Sequence, residues 1–346
     1  MKPEKTKPFL SKRWVILILI LLVINFFPLP YYYSQPGDAK VLSEVIEVEN
    51  GFEEEGSFML TTVQMGKANL LFYGWSFLSP YRLLYHEDQI RLEGESDEEY
   101  HHRQLMAMNS SQETAMIVAY ESAKKKIEYD YHGVIVTQII EDMPADGILN
   151  VGDRILKVND EEVRAAEELI HMLSEKNVDE TVELTIKRDE ETLLLELGFA
   201  AFPEIMGAPE GRVGIGISAP VTDRTLVVDP NVKIDTSQIG GPSAGLMFSL
   251  EMYNQLTEED ITKGYHIAGT GTISESGVVG RIGGAHQKVL AADKAGAEYF
   301  FAPYEKGAEN SNYEEALAAA EDIGTEMEII PVDSFQEALD FLNSLP

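Results

Sequence analysis

The 346-residue chain contains no cysteine. Disulfides, thiolate metal sites and cysteine nucleophiles are therefore excluded. Its seven histidines form no H-E-x-x-H pattern, and the adjacent pair His101-His102 reads as a solvated loop, so no metal or other cofactor is called for. No G-x-x-x-x-G-K-[ST] stretch is present, and nothing points to nucleotide binding or hydrolysis. Basic residues are scarce: 27 Lys and Arg face 59 Asp and Glu, for a net charge of -32. A body this acidic lacks the basic footprint that nucleic acid requires, and it reads as a solvated, soluble surface.

The exception to this acidity is the N-terminus. Lys2, Lys5, Lys7, Lys12 and Arg13 against Glu4 make residues 1–13 a basic tail. Trp14 to Phe27 is apolar except for Asn25, and Pro28-Leu29-Pro30 and Tyr31-Tyr32-Tyr33 continue it. The uninterrupted run is somewhat short of the roughly 20 residues that a spanning helix wants, but the tyrosines suit an interfacial belt. A cleavable signal peptide is the rival reading, and no A-x-A-like site precedes Asp38. The expectation is an uncleaved transmembrane anchor over 14–33, with the basic tail in the cytoplasm and the acidic body outside.

Hydrophobic residues make up 44% of the chain, enough for a sizeable core and two or three domains. Residues 34–45, carrying Gln35-Pro36-Gly37, read as a linker. The β-rich pieces 56–63 and 68–73 follow, and 111–126 is expected to be a helix. Residues 129–200 read as a separate β-rich module, with strands at 133–140, 151–159, 181–188 and 191–197 and a short amphipathic helix at 165–174. From 201 to the end, strands alternate with helices, which indicates an α/β domain.

The 129–200 module resembles a PDZ domain, on the run Gly147-Ile148-Leu149-Asn150-Val151-Gly152-Asp153-Arg154-Ile155 and on its strand order. PDZ domains add a peptide as an extra strand to a sheet edge. The resemblance implies a peptide-binding loop at Tyr131, His132, Gly133 and Val134, with Ile135 on the accepting strand. The alternative is a β-rich module with no ligand.

Gly240-Gly241-Pro242-Ser243-Ala244-Gly245 precedes the apolar run Leu246-Met247-Phe248-Ser249-Leu250. Proline suits a first helical turn, so Ser243 reads as a hydroxyl at a helix N-terminus, where backbone N–H groups can stabilise an oxyanion. Such a serine needs a base. Lys288 lies in a helical stretch beside Val289, Leu290 and Ala291, where burial would lower its pKa far enough for it to accept a proton. His286 is two residues away and off the shared helical face, and Lys294 lies next to Asp293 in a solvated setting. The plain alternatives are a cap serine and a solvated lysine.

Taken together, Gly241-Pro242-Ser243-Ala244-Gly245, Thr270-Gly271 and Ile282-Gly283-Gly284-Ala285-His286-Gln287-Lys288 resemble the proteolytic domain of Lon-type (S16) peptidases, a Ser-Lys dyad family. The resemblance implies Ser243 as nucleophile and Lys288 as general base, with Thr270 near the lysine and Gly241 and Pro242 shaping the bend. Gly240 stands where many members carry aspartate. The resemblance reaches back to Gly56–Tyr73 and Ser110–Lys126 and resumes at Arg212–Ser218. It therefore implies a mixed α/β (α+β) Lon-like domain, built from 46–128 and 201–346, with the PDZ inserted. An anchor, a PDZ and a Lon-like domain together resemble the membrane-anchored YlbL-like peptidases of bacteria. The expected function is an ATP-independent serine endopeptidase acting outside the cell membrane on unstructured exported or membrane polypeptides. The second reading is a PDZ-based peptide sensor on an inactive peptidase scaffold. Polypeptide substrates and the membrane are the expected partners, and a homo-oligomer is compatible with the resemblance.

Overall fold

The computed structural model describes Trp14 and residues 28–346, apart from 93, 175, 204–211 and 237–238. The chain divides into two compact units, one formed by residues up to Lys126 together with Val228–Pro346, the other by Ile127–Val227.

The first unit opens on strand β1 (Pro28–Val41), which pairs antiparallel with β2 (Ser57–Asn69). Residues 34–45 are thus no linker, and Tyr31-Tyr32-Tyr33 belongs to a sheet. Tyr32 and Ser34 are buried in it. The prolines of β1 coincide with register breaks, between Pro28 and Tyr32 and between Pro36 and Ala39, where a missing N–H costs the ladder least. Residues 15–27, most of the expected anchor, lie outside the described residues. Among the described residues no helix is long and apolar enough to cross a membrane. After β2 come the short helix α1 (Leu70–Ser76), capped by Asn69, and strand β3 (Leu83–His86), which pairs with the far edge of β1. Helix α2 (Asp97–Ser122) starts well before the expected position 111. Ser96 and Glu99 form a capping box, and three acidic residues occupy the first turn, so the N-terminal signal outweighs the polar character of the segment.

The second unit contains β4 (Lys126–Ile135), β5 (Arg154–Val158), helix α3 (Ala166–Ser174), β6 (Thr181–Arg188), β7 (Glu191–Gly198) and β8 (Val221–Asp229). Its sheet runs β7-β6-β5-β4-β8. The core gathers Val134, Ile155, Leu169, Leu184, Ile186 and Ile215. Asp153 is almost wholly buried and takes two hydrogen bonds from Arg188, at 2.8 and 2.7 Å. The unit runs on to Val227 rather than stopping near 200. Residues 213–218, expected as a strand of the Lon-like domain, instead pair here, with Ala200-Ala201 and with Gln138-Ile139. Ile215 is their contribution to this core.

The chain then returns to the first unit with α4 (Gly245–Leu256), β9 (His266–Gly269), α5 (Ala285–Lys294), β10 (Tyr299–Pro303), α6 (Asn312–Ile323), β11 (Glu328–Val332) and α7 (Phe335–Ser344). The resulting sheet has the order β11-β10-β9-β2-β1-β3. Strands β11, β10, β9 and β2 are mutually parallel, as β-α-β connections require. Val289 and Ala292 of α5 pack with Phe300, Ala302, Ala316 and Ile329 in one apolar cluster. Helix α4 is buried almost along its whole length.

Candidate active site

Helix α4 begins at Gly245, so Ser243 lies in the bend before the helix rather than in its first turn. Four hydrogen bonds fix the bend. Gly241 has φ of +89°, a conformation that glycine adopts without steric cost, and its N–H donates to the Gln104 carbonyl at 2.9 Å. Ser111 of α2 donates its hydroxyl to the Pro242 carbonyl at 3.0 Å. The Ser243 carbonyl accepts from the Gly271 N–H at 2.9 Å and from the Thr270 hydroxyl at 3.0 Å. Gly240 sits so close to α2 that a Cβ there would come within 3.0 Å of the Gln104 Cβ.

Lys288 lies on α5, one turn before Ala292. It is 3% exposed. Its Nζ is 2.7 Å from Ser243 Oγ and 2.9 Å from the Thr61 carbonyl. Burial alone pulls the amine from its usual 10.5 down to about 7, which is where a general base for neutral conditions belongs. The neighbouring Gln287 is fully buried and braces α5: it accepts from the Ser34 hydroxyl at 2.9 Å and donates to the Tyr81 carbonyl at 2.9 Å. His286 turns elsewhere, its ring centroid 6.2 Å from that of Tyr81, and burial lowers its pKa. Lys294 is exposed and faces Asp38 at 3.6 Å.

Ser243 and Lys288 open into a cleft of about 820 Å³. Its walls include Thr61 to Gln64 of β2, and Gln104 and Met108 of α2. Thr270, expected beside the lysine, donates its hydroxyl to the Ser243 carbonyl and so fixes the backbone of Ser243. The partner of the lysine is the Thr61 carbonyl, which no side-chain motif could reveal. The signal that could have found it is the β-rich piece 56–63 preceding the serine bend.

The expected peptide-binding residues of the second unit are placed differently. Tyr131, His132, Gly133, Val134 and Ile135 lie on β4, which has β5 on one side and β8 on the other. His132 Nε2 is within 2.7 Å of Thr225 Oγ1 on β8. An interior strand has no free edge to offer an added strand. The open groove of this unit, about 420 Å³, runs instead between α3 and residues 212–220, lined by Leu169, Ile170 and Leu173 on one side and Val213, Ile215 and Ile217 on the other. Gly214-Ile215-Gly216-Ile217 is the pattern that could have marked it, although it lies after the last strand of the expected module.

Comparison with known proteins finds two domain types in the chain. Residues 235–343 match the Lon protease (S16) C-terminal proteolytic domain, and residues 106–198 match the PDZ domain. Over 102 residues the chain is 36% identical to Lon protease 2 of Bacillus subtilis (strain 168), a stretch covering 30% of this chain and 16% of that protein. It is 30% identical over 102 residues to Lon protease of Mesomycoplasma hyopneumoniae (strain 232), covering 30% of this chain and 11% of that protein. The chain thus spans well under a fifth of the length of these relatives. The solved PDZ domain of the SdrC-like protein from Listeria monocytogenes is 27% identical, over 26% of this chain and 88% of that one, with a TM-score of 0.24. The chain carries a Lon-type proteolytic domain and a PDZ domain.

Proposed function

We propose that the protein is a serine endopeptidase that uses Ser243 as nucleophile and Lys288 as general base, works without ATP, and is tethered to a membrane by its apolar N-terminal run. The observation that carries this reading is the 2.7 Å contact between Ser243 Oγ and a buried Lys288 Nζ whose burial favours the neutral amine.

The neutral amine keeps one N–H on the Thr61 carbonyl and offers its lone pair to the Ser243 hydroxyl. Ser243 Oγ attacks the scissile carbonyl carbon as its proton passes to Nζ. The ammonium then returns the proton to the departing amine, which leaves an ester on Ser243. Water, deprotonated by the regenerated amine, hydrolyses that ester. Backbone N–H groups at the start of α4, other than that of Leu246, which donates to the Gly271 carbonyl at 3.2 Å, would meet the negative charge that develops on the carbonyl oxygen.

Substrate would lie extended. Strand β9 accompanies β2 only from Ser57 to Leu60, and the following residues, Thr61 to Gln64, form a wall of the cleft. A polypeptide laid along that wall passes Ser243, and only an unstructured segment can adopt that shape. The groove beside α3 in the PDZ unit would take a second segment of the same polypeptide, recruiting substrate or gating the site. The basic tail and the apolar run after it favour a cytoplasmic N-terminus and an extracytoplasmic peptidase.

The test is cleavage of a disordered protein by the full chain without nucleotide. Ser243→Ala and Lys288→Ala should each abolish turnover. Wild-type turnover in either variant would overturn the assignment.

A further inference from the structure

We infer that the corner of the first unit formed by α1 and the start of β1 is a phospholipid-docking surface, on which Trp75, Phe77 and Leu78 enter the interfacial layer of the bilayer. The inference rests on the membrane-tether reading of the N-terminal apolar run.

Three observations carry it. The first is an exposed apolar patch. Leu70, Leu71 and Trp75 are each more than two-fifths exposed, and Phe77 and Leu78 are 73% and 76% exposed, all within nine consecutive residues. Clustered apolar exposure of this kind marks an interaction surface. The patch is held rigidly from behind: Tyr33 stacks on Phe72 with ring centroids 4.3 Å apart, Tyr31 meets Tyr73 at 5.5 Å, and the Arg82 guanidinium lies 3.8 Å over the Trp75 ring.

The second observation is position. Pro28, the first residue of β1, is the register partner of Asn69, which caps α1. The apolar run ends at Phe27, so no spacer separates it from the folded unit. A tether that leaves the unit at Pro28 brings the neighbouring α1 to the membrane surface with it.

The third observation is charge. In a chain of net charge -32, residues 56–86 contain no Asp or Glu, and none occurs between Glu4 and Asp38. Of the acidic residues next to it, Glu87 and Asp97 lie within 3.5 and 3.3 Å of the Lys67 amine, and Asp88 lies 2.7 Å from His86 Nδ1. The corner therefore escapes the repulsion that the rest of this acidic surface would meet at an anionic bilayer. Tryptophan and tyrosine beside aliphatic residues suit the headgroup boundary, where an apolar body and a polar tip are both satisfied.

The chain has two tryptophans, Trp14 and Trp75, so each can be observed alone. The experiment uses the full chain reconstituted in phosphatidylcholine–phosphatidylglycerol vesicles containing lipid brominated high in its acyl chains. In the Trp14→Phe protein, Trp75 emission should be quenched by the brominated lipid and protected from aqueous iodide. Adding Phe77→Ser and Leu78→Ser should reverse both effects while cleavage of a soluble disordered substrate stays unchanged. Trp75 open to iodide and untouched by brominated lipid would overturn the docking surface, as would Trp75 shielded from both, which would mean that protein covers the patch. The Trp75→Phe protein separates the two claims. If it floats with the vesicles and its Trp14 is quenched by brominated lipid while Trp75 is not, the tether stands and the docking surface falls. If the full chain does not float with vesicles, both fall.

Discussion

Replacing Lys288 with methionine should stabilise the fold by an amount that depends on pH. The site holds an amine that is 3% exposed and whose pKa falls from 10.5 to about 7 through burial alone. Below pH 7 the native protein must therefore carry an ammonium where burial disfavours it. The unfolded chain keeps that proton up to about pH 10.5 and the native chain only up to about 7. Between these values the unfolded state binds more protons, and wild-type stability rises with pH. The gap corresponds to on the order of 5 kcal/mol. Methionine has a similar length and no charge, so it avoids this cost, although it forfeits the hydrogen bonds to Thr61 and Ser243, about 1 kcal/mol each. The variant should be the more stable protein at pH 6. Its advantage should shrink steadily above pH 7, vanish at about pH 9 and reverse by pH 10.5, where only the lost hydrogen bonds remain. Urea-unfolding midpoints of the two proteins at pH 6, 8 and 10 measure this. A difference that does not change with pH, or a less stable variant at pH 6, would refute the reasoning.

Three further outcomes are expected. Glu251 of α4 is fully buried, and burial, reinforced by the charge of Glu54, pushes its carboxyl up to about 8. The stability it contributes when protonated is complete below about pH 4.5 and is lost as pH rises through 8. Glu251→Gln should therefore raise the Tm at pH 8.5 and leave it unchanged near pH 4, and equal shifts at both would contradict this. Thr270→Val removes one of two donors to the Ser243 carbonyl and should lower kcat about tenfold with KM nearly unchanged, since a displacement of the nucleophile acts on the chemical step. A change confined to KM would count against that role. Ile170→Asp in the groove beside α3 should raise KM for long disordered substrates and spare short peptides, and equal loss on both would separate the groove from recruitment.

The pairing of Ser243 with Lys288 was legible as a candidate because each sits in a compact local pattern, a small-residue bend before an apolar helix and a lysine in a glycine-opened helix, and the structure brings them within 2.7 Å. Their surroundings were less so. The Thr61 carbonyl is a backbone atom 227 residues from Lys288 and leaves no trace in side-chain chemistry. Strand β1 was hidden because Pro28, Pro30, Pro36 and Gly37 argue against a strand, and only register breaks at those positions allow one. Its tyrosines fit a membrane interface and a sheet equally well. Helix α2 was underestimated at its start, since the polar turns after Ser96 carry no apolar period and only the capping box marks them. The PDZ groove was misplaced for a topological reason. Its β side is supplied by residues 212–220, beyond the last strand of the recognisable module, while the residues chosen from the sequence lie in the interior of the sheet.

Activation of Ser243 by a neutral Lys288 is the step from which the proposed activity follows. The most direct measurement is the rate at which a fluorophosphonate labels Ser243 in the full-length protein, followed by intact mass as a function of pH. The rate should rise about tenfold between pH 6 and 8, with an inflection near 7, and fall by about 10²–10⁴-fold in the Lys288→Met protein. Labelling that inflects above pH 9, or that proceeds at the wild-type rate without Lys288, would contradict it.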